Sequence, residues 1–502
     1  MDGFSGRQIG ETEALAHASE GLAWSMPEAS AKRVTTPAQM CVFGLIAAFL
    51  CVVTALFPHT AQSIAYAALL AVFATALTLR LWAAAAAFVP APAPPPAPGP
   101  LPVLTVLCPL YKEAAVAPDL VAALQRLDYP PHLLDVKLIL EADDEATIAA
   151  VAALDLPDFC ALVIVPTAAP RTKPKALNYA LAFAHGDIVT VFDAEDRPHP
   201  SQPRAAIAAF AAGGAGLACV QAPLRVDNAA SAWIARQFAA EYAFQFAALL
   251  PLLARLGLPF PLGGTSNYFR LSALRACGGW DPYNVTEDAD IGYRLARQGW
   301  RMGAVTPPTM EEAPVTFGAW RRQRTRWIKG HLQTWLVLMR NPAGAMKELG
   351  LVGFAAMQIA LGGGLLAAFL HGPIALALVA AILAPGWASG WTLSPLDAAF
   401  VAAGYATGLI AVVIGALCAR QPSVALAAVT APLYWPLASW AALCALGELI
   451  LKPHYWAKTA HGLSARGSDP NGVHPSPDAL RLLPRPGRDA RSPRRLPLRA
   501  PH

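Results

Sequence analysis

The sequence predicts an α/β domain with a mostly parallel sheet, inserted between transmembrane α-helices. Hydrophobic residues make up 55% of the 502 residues and charged residues only 14%. Such a composition is typical of a membrane protein that also carries a soluble part. From 103 to 340 strand-like and helix-like segments alternate, which indicates a parallel sheet covered by helices on both faces.

The region before this domain predicts a short membrane anchor. Residues 1–36 are mixed and polar and lack the basic start, apolar core and cleavage site of a signal peptide. Two apolar stretches follow within 37–89, each long enough to cross roughly 30 Å of hydrocarbon. Residues 90–102, PAPAPPPAPGPLP, are too rich in proline for a helix or a sheet and predict a stiff spacer.

Four apolar runs predict the first strands of the domain: VLTVLCPL, DVKLILEAD, ALVIVP and DIVTVFDA. The segments PDLVAALQRL and KALNYALAFA predict helices between them. Glu113, Asp143 and Asp193 each follow one of these strands. In parallel sheets ligands bind beyond the carboxyl ends of the strands, so we expect the three carboxylates along one functional edge.

The region after the domain predicts about four further transmembrane helices within 341–451, near 350–370, 372–387, 398–419 and 423–447. An even total leaves the N-terminal segment, the domain and the tail 452–502 on one face. Because the tail is rich in arginine, the positive-inside rule predicts that this face is cytoplasmic. Arg420 would then lie in an outer loop, which counts against the arrangement. The Pro/Arg-rich tail is predicted to be largely disordered.

Asp193 and Glu195 end the fourth predicted strand and are separated by one residue. Two carboxylates in such a turn can converge on one hard cation, and Mg²⁺ or Mn²⁺ prefers oxygen ligands and bridges to substrate phosphates. An acidic turn without a metal is the alternative interpretation. Asp196 could replace or support Glu195.

Thr286, Glu287 and Asp288 precede the predicted helix IGYRLARQG. Thr286 is expected to cap this helix, and acids in a first turn suit the helix dipole. A carboxylate held at a helix start is rigid, so Asp288, with Glu287 beside it, could also accept a proton from an attacking hydroxyl.

Gln323, Arg326 and Trp327 are spaced three or four residues apart on one face of a predicted amphipathic helix. The face could present an amide, a cation and a ring to a diphosphate. A membrane-surface helix anchored by tryptophan and arginine is the alternative.

Two further segments predict weaker contacts. Lys173 and Lys175 are expected just before a helix, where a lysine can neutralise phosphate or simply lie at the surface. Gly264 and Thr265, within GGTSN, indicate a close backbone approach to an acceptor, although an ordinary turn explains them equally well.

These motifs resemble those of membrane-embedded family-2 glycosyltransferases, the family of cellulose, hyaluronan and poly-N-acetylglucosamine synthases and of bacterial glycolipid synthases. Thr286-Glu287-Asp288 and Gln323-x-x-Arg326-Trp327 match its TED and QxxRW signatures in order and spacing. The resemblance covers about 103–340 and implies a GT-A-type fold. It implies nucleotide contacts for Tyr111, Glu113 and Asp143, and a phosphate contact for Lys173. It implies metal ligation by Asp193 and Glu195, general base chemistry at Asp288, and closure of the donor site by the QxxRW residues.

The chain departs from the family pattern at two places. Glu195 stands where the family has a second Asp, which puts the metal geometry in doubt. No cyclic-nucleotide-binding barrel is expected after the last helix. The segment KPHYWAKTAHG, from Lys452, resembles one that follows the last helix in related enzymes. Its His454 and His461 are expected to pack at the membrane edge rather than bind metal.

The resemblance implies an inner-membrane, multi-pass enzyme with a cytoplasmic catalytic domain and a Mg²⁺ or Mn²⁺ cofactor. It would transfer a hexose, from UDP-glucose or UDP-GlcNAc, with inversion to a β-linkage. The expected partners are the nucleotide-sugar, membrane lipids and a polysaccharide or lipid acceptor, without nucleic acid; export subunits stay open. A single-addition glycolipid synthase is the alternative to a processive synthase. Spans almost free of charge favour the lipid acceptor. A transporter or a degenerate, regulatory relative is the remaining alternative.

Overall fold

The computed structural model describes residues 10–89, 95–97, 99–383 and 394–458. Most of the tail predicted to be disordered, with His461, lies outside these residues, as does part of the proline-rich spacer.

The central sheet has seven strands in the order β3-β2-β1-β4-β8-β6-β9, and a second sheet has the order β5-β10-β7. In the large sheet every neighbouring pair is parallel except the two pairings of β8. The α/β fold with a mostly parallel sheet is therefore confirmed, and the four predicted strands are β1–β4. The strands are β1 Leu104–Leu110, β2 Leu134–Glu141, β3 Cys160–Val165, β4 Ile188–Val191, β5 Arg197–Pro198, β6 Leu217–Gln221, β7 Leu224–Val226, β8 Asn267–Arg270, β9 Arg301–Ala304 and β10 Thr309–Glu311.

Helices cover the sheet and continue into the apolar region. They are α1 Glu11–Ser25, α2 Pro37–Leu56, α3 Pro58–Ala86, α4 Ala117–Gln125, α5 Glu145–Ala152, α6 Lys173–Leu181, α7 Gln202–Gly213, α8 Trp233–Phe244, α9 Leu250–Arg255, α10 Leu271–Ala276, α11 Glu287–Arg297, α12 Phe317–Leu338, α13 Pro342–Met357, α14 Gly364–Leu383, α15 Pro395–Cys418, α16 Ala431–Tyr434 and α17 Leu437–Leu451. Short π-helical segments, 245–249 and 358–363, continue α8 and α13, and a 3₁₀ segment spans 422–429.

The N-terminal segment is more structured than its polar composition predicts. Its helix α1 packs against α6 of the α/β domain, with Ala14, Ala18 and Leu22 buried. The backbone N–H of Ala31 donates to the buried Asp281 at 2.5 Å. Residues 10–31 are thus part of the domain surface, which the small apolar residues of α1 did not reveal in sequence.

Five helical segments in the described part of the chain are long and apolar enough to cross a membrane. Two precede the domain, α2 and α3, as predicted. Three follow it, Pro342–Ala380, Pro395–Cys418 and Ala431–Leu451, rather than the predicted four. The segment expected near 350–370 and the described part of the one expected near 372–387, up to Leu383, belong to one continuous helical path, because the chain passes through a π-helical segment instead of a loop.

Candidate active site

A single cavity of about 1160 Å³ extends from the carboxyl edge of the large sheet into the membrane helices. All but one of the sequence-predicted site residues line this cavity: Tyr111, Glu113, Asp143, Lys173, Asp193, Glu195, Gly264, Glu287, Asp288, Gln323, Arg326 and Trp327. Loops after β1, β2 and β4 supply the first carboxylates, as parallel strand order requires. The exception is Thr265, which is 1% exposed and donates its hydroxyl to Asp196 and to the Val191 carbonyl.

Lys173 connects the two halves of the acidic cluster. Its Nζ lies 2.5 Å from Asp193 Oδ1 and donates to the Gly264 carbonyl at 2.8 Å. A Cβ added to Gly264 would lie 3.4 Å from Asp288 Oδ2. These contacts form a continuous series, so Asp193 and Asp288, 95 positions apart in the chain, face one space. Although burial opposes it, the negative charges of Asp193, Glu287 and Asp288 raise the pKa of Lys173.

The structure separates the two lysines that the sequence left equivalent. Both lie in the first turn of α6, as its first and third residues, rather than before the helix as expected. Lys175 is fully buried and pairs with Glu141 at 2.9 Å, whereas Lys173 faces the cavity. Lys175 therefore supports the sheet, and Lys173 alone is available to a ligand.

Four acids crowd the metal end of the cavity. Burial and the charges of Asp193 and Glu195 raise the pKa of Asp196 well above its usual value. Burial and the same group of acids also raise the pKa of Glu311 on β10, which the sequence did not single out. Asp196 Oδ2 accepts from the Asp193 N–H at 2.6 Å, while its Oδ1 is buried without a hydrogen-bond partner. Repulsion between these carboxylates, together with a carboxylate oxygen that has no hydrogen-bond partner, fits a site for a hard divalent cation.

The protein alone offers few ligands to that cation. Within the described ranges no three His, Cys, Asp or Glu side chains are arranged to hold a metal. Asp193 and Glu195 would supply at most two carboxylates, and Asp193 is already in an ion pair with Lys173. Mg²⁺ sites of this kind are completed by water and by substrate phosphates rather than by a full set of side chains.

Glu287 and Asp288 begin α11 and face the cavity floor. Burial, only partly offset by Lys173, raises the pKa of Glu287 to about 7. Burial also raises the pKa of Asp288, although the 2.8 Å hydrogen bond from the Ala289 N–H to Asp288 Oδ1 acts to lower it. A buried, fixed carboxyl group with a raised pKa is suited to proton transfer near neutral pH.

Thr286 does not cap α11 as predicted: its side chain makes no capping hydrogen bond. It lies instead against Gly330 of α12, where an added Cβ would come within 2.7 Å of the Thr286 backbone nitrogen. Only a glycine permits this approach. The contact brings α12 onto the start of α11, and so brings the two motifs together. The glycine that follows the Gln/Arg/Trp motif was the sequence signal for it.

Helix α12 presents Gln323, Arg326 and Trp327 to the cavity, as its spacing predicted. Arg326 donates to the Val285 carbonyl at 3.2 Å, just before Glu287. Gln323 Oε1 and Arg326 Nε are buried without hydrogen-bond partners, which indicates polar groups that a ligand could satisfy. Trp327 stacks on Tyr242, with ring centroids 6.1 Å apart.

Residues 454–456 and Lys458, which follow α17, line the cavity. Lys458 Nζ pairs with Glu113 Oε1 at 2.9 Å, and the Trp456 ring lies 5.7 Å from the Arg326 guanidinium. His454 Nδ1 lies 2.9 Å from the Tyr283 carbonyl and lines the cavity. The segment therefore contacts residues that were predicted to bind the donor. The sequence had predicted only that its histidines pack at the membrane edge.

Comparison with known proteins gives a family for the central domain. Residues 100–330 match the family described as "Glycosyltransferase like family 2". A beta-monoglucosyldiacylglycerol synthase of Synechocystis sp. is 31% identical over 269 residues, which cover 52% of this chain and 55% of that protein. A glucomannan 4-beta-mannosyltransferase of Oryza sativa is 26% identical over 240 residues, covering 46% and 45%. The chain spans about half the length of the curated relatives it matches.

Solved structures give a weaker likeness. A mannosyltransferase from Pyrobaculum calidifontis, in complex with GDP-Man and Mn²⁺, is 22% identical. The aligned part covers 73% of this chain and 97% of that chain, with a TM-score of 0.47.

Proposed function

We propose that this chain, in which residues 100–330 form a glycosyltransferase family 2 domain, transfers a hexose from a nucleotide-sugar to an acceptor hydroxyl at a membrane surface. The observation that carries the proposal is the shared cavity. Asp193, Asp288 and the Gln323–Trp327 face of α12 line it together. A transferase for activated sugars needs an anion site, a base and a leaving-group contact in one place.

The chemistry divides among these side chains. Asp288 accepts the proton of the acceptor hydroxyl as it attacks the anomeric carbon, with inversion to a β-linkage. Arg326, Gln323 and Lys173 hold the departing diphosphate, and Tyr111, Glu113 and Asp143 contact the nucleotide. A divalent Mg²⁺ or Mn²⁺ ion at Asp193 and Glu195 would supply charge stabilisation to the diphosphate. Trp327 closes the donor site, and Gly264 leaves room for the acceptor beside the base.

The acceptor is proposed to be a lipid. The cavity passes from the sheet edge to α14 and α15, where Ala367, Gly408 and Ala411 line it. An acceptor approaching from this side lies between membrane helices. The volume of about 1160 Å³ exceeds the roughly 300–1000 Å³ of a pocket for one small ligand, which leaves space for two. The relatives include synthases named for glucosyldiacylglycerol, and this supports the same assignment.

Two contacts with the domain support an arrangement in which the N-terminal segment, the domain and the tail lie on one face of the membrane. Gln421 donates to the Val226 carbonyl at 2.7 Å, and Lys329 of α12 donates to the Lys452 carbonyl at 3.5 Å. Both ends of the last apolar segment thus contact the domain side. Arg420, expected in an outer loop, lies near Arg225 of the domain. We propose α2, α3, α14 and α15 as the full crossings, with the domain on the cytoplasmic face of an inner membrane.

Radiolabelled UDP-sugars offered to membranes carrying the protein test this function. We expect metal-dependent label in the organic phase after solvent extraction, in a product cleaved by a β-glucosidase or β-hexosaminidase. Label confined to a water-soluble or insoluble polymer would instead identify a processive synthase. Absence of both transfer and UDP-sugar hydrolysis at any metal concentration would identify a degenerate relative and end the proposal.

A further inference from the structure

The two ends of the cavity differ in charge. The sheet end is lined by acids, among them Asp193, Glu195, Glu287, Asp288 and Glu311. Towards the membrane helices, which we call the membrane end, the lining includes Arg80 of α3 and His371 of α14, beside Glu241 of α8 and Arg324 and His331 of α12. Ionisable side chains among membrane helices are costly and mark binding sites or conduction paths more often than structure.

Arg324 and Glu241 already form a network with each other, although Arg324 Nε is buried without a hydrogen-bond partner among the described residues. The Arg324 guanidinium pairs with Glu241 Oε2, and the Tyr434 hydroxyl donates to the same oxygen at 2.8 Å. The Trp320 indole N–H donates to Tyr434 at 2.9 Å. The Arg324 cation also lies 5.1 Å from the Trp327 ring centroid. This network is charge-neutral and fixes α12 against α8 and α16.

Arg80 is left as an extra cation. Its nearest acid is Glu241, but no nitrogen of Arg80 lies within ion-pair distance of any carboxylate in the described chain. Burial and the Arg324 charge lower the pKa of His331 to about 4, so it is neutral at pH 7. Two arginines against one glutamate leave a net charge of about +1 at this end of the cavity.

Arg80 lies near the domain-side end of α3. It is six residues before the end of this helix, and Arg255 of the α/β domain donates to the Ala86 carbonyl at that end. At 1.5 Å per residue Arg80 is roughly 9 Å along the helix from this contact. If the end of α3 marks the membrane surface, this level is that of the boundary between headgroups and acyl chains.

We propose that the membrane end of the cavity binds the phosphate of a phosphate-bearing lipid, with Arg80 as its principal contact. This proposal rests on the proposed function in one respect: the lipid is taken to be the acceptor of the sugar, or to lie beside the acceptor. A guanidinium matches a phosphate with two parallel hydrogen bonds, so the site distinguishes phospholipids from neutral diacylglycerol.

Purified protein in nanodiscs tests the proposal with three lipids: diacylglycerol, phosphatidylglycerol and a polyprenyl phosphate, each in a phosphatidylcholine background. We expect transfer or its stimulation to require one of the two phosphate-bearing lipids. Each phosphate-bearing lipid is also offered together with diacylglycerol, and the labelled product is separated by anion-exchange chromatography. An anionic product identifies the phosphate-bearing lipid as the acceptor, whereas a neutral product that forms only when diacylglycerol is also present identifies it as an activator.

Arg80→Gln is expected to raise the phospholipid concentration for half-maximal transfer by roughly tenfold or more, the loss expected for a charge-assisted hydrogen bond. Arg80→Lys keeps the charge but loses the paired hydrogen bonds, so it should recover only part of the effect. Arg322→Gln is the matched control, since Arg322 is an exposed cation on α12 outside the cavity. UDP-sugar hydrolysis should persist in Arg80→Gln, which separates loss of this site from failure of the proposed transferase. Equal lipid dependence in wild type, Arg80→Gln and Arg322→Gln would overturn the proposal and leave Arg80 an interfacial anchor.

Discussion

Replacing Asp288 with Asn removes the proposed base and changes almost nothing else. The amide keeps the shape of the side chain, and its oxygen can still accept the 2.8 Å hydrogen bond from Ala289. General base catalysis contributes about 10²–10⁴ in rate, so we expect kcat for sugar transfer to fall by that factor. Donor affinity should change little, because the nucleotide contacts lie on other elements.

The pH dependence gives the same prediction a second readout. Burial raises the pKa of Asp288, so this carboxyl group takes up a proton at a higher pH than an ordinary aspartate. Only the carboxylate form can act as a base. The wild-type rate should therefore fall as the pH is lowered through the raised pKa, whereas the small residual rate of Asp288→Asn should lack that part of the fall.

The assay is single-turnover transfer in nanodiscs, with nucleotide binding measured by isothermal titration on the same samples. Asp119→Asn is the matched control, an exposed acid in the first turn of α4. Turnover of Asp288→Asn within a few-fold of the wild type, with normal donor binding, would refute the assignment of the base. Loss of both turnover and donor binding would show that the residue holds the site together instead.

Three further changes test how the site is built. Gly330→Ala should lower the thermal unfolding temperature in detergent, at a cost of about 1–3 kcal/mol or more, since its methyl group would overlap Thr286; an unchanged temperature would contradict the close packing of α12. Lys329→Met should destabilise by about 1.5–3 kcal/mol, because it removes the 2.9 Å contact of the buried Lys329 Nζ with Glu448 and leaves that carboxylate only Lys452, at 3.4 Å, in the part of the chain that is described. An unfolding curve like that of the wild type would argue against the contribution of this pair. Asp193→Asn should raise the Mg²⁺ or Mn²⁺ concentration for half-maximal transfer by roughly tenfold or more, since mutating even a residue that only hydrogen-bonds to a metal ligand lowers metal affinity or activity by about 10–100-fold. An unchanged metal requirement would remove Asp193 from the metal site.

The sequence by itself determined the first four strands, the order of the motifs and the sheet edge at which three of the carboxylates lie. Strand periodicity and the rule for parallel sheets are local or topological, so β1–β4 and the positions of Glu113, Asp143 and Asp193 followed without coordinates. Helical spacing likewise predicted that Gln323, Arg326 and Trp327 share one face, because residues three and four apart lie together on any α-helix.

Only the tertiary structure decided what each group contacts. Lys173 and Lys175 are both lysines at one helix start, yet one pairs with Asp193 and the other with Glu141. Residues two apart lie on different faces of a helix, and only the packing of α6 on the sheet decides which face meets the cavity. The count of membrane helices, the position of Arg420 and the extra cation Arg80 also depend on long-range packing. Such contacts join residues far apart in the chain, and no local pattern encodes which distant side chains will meet.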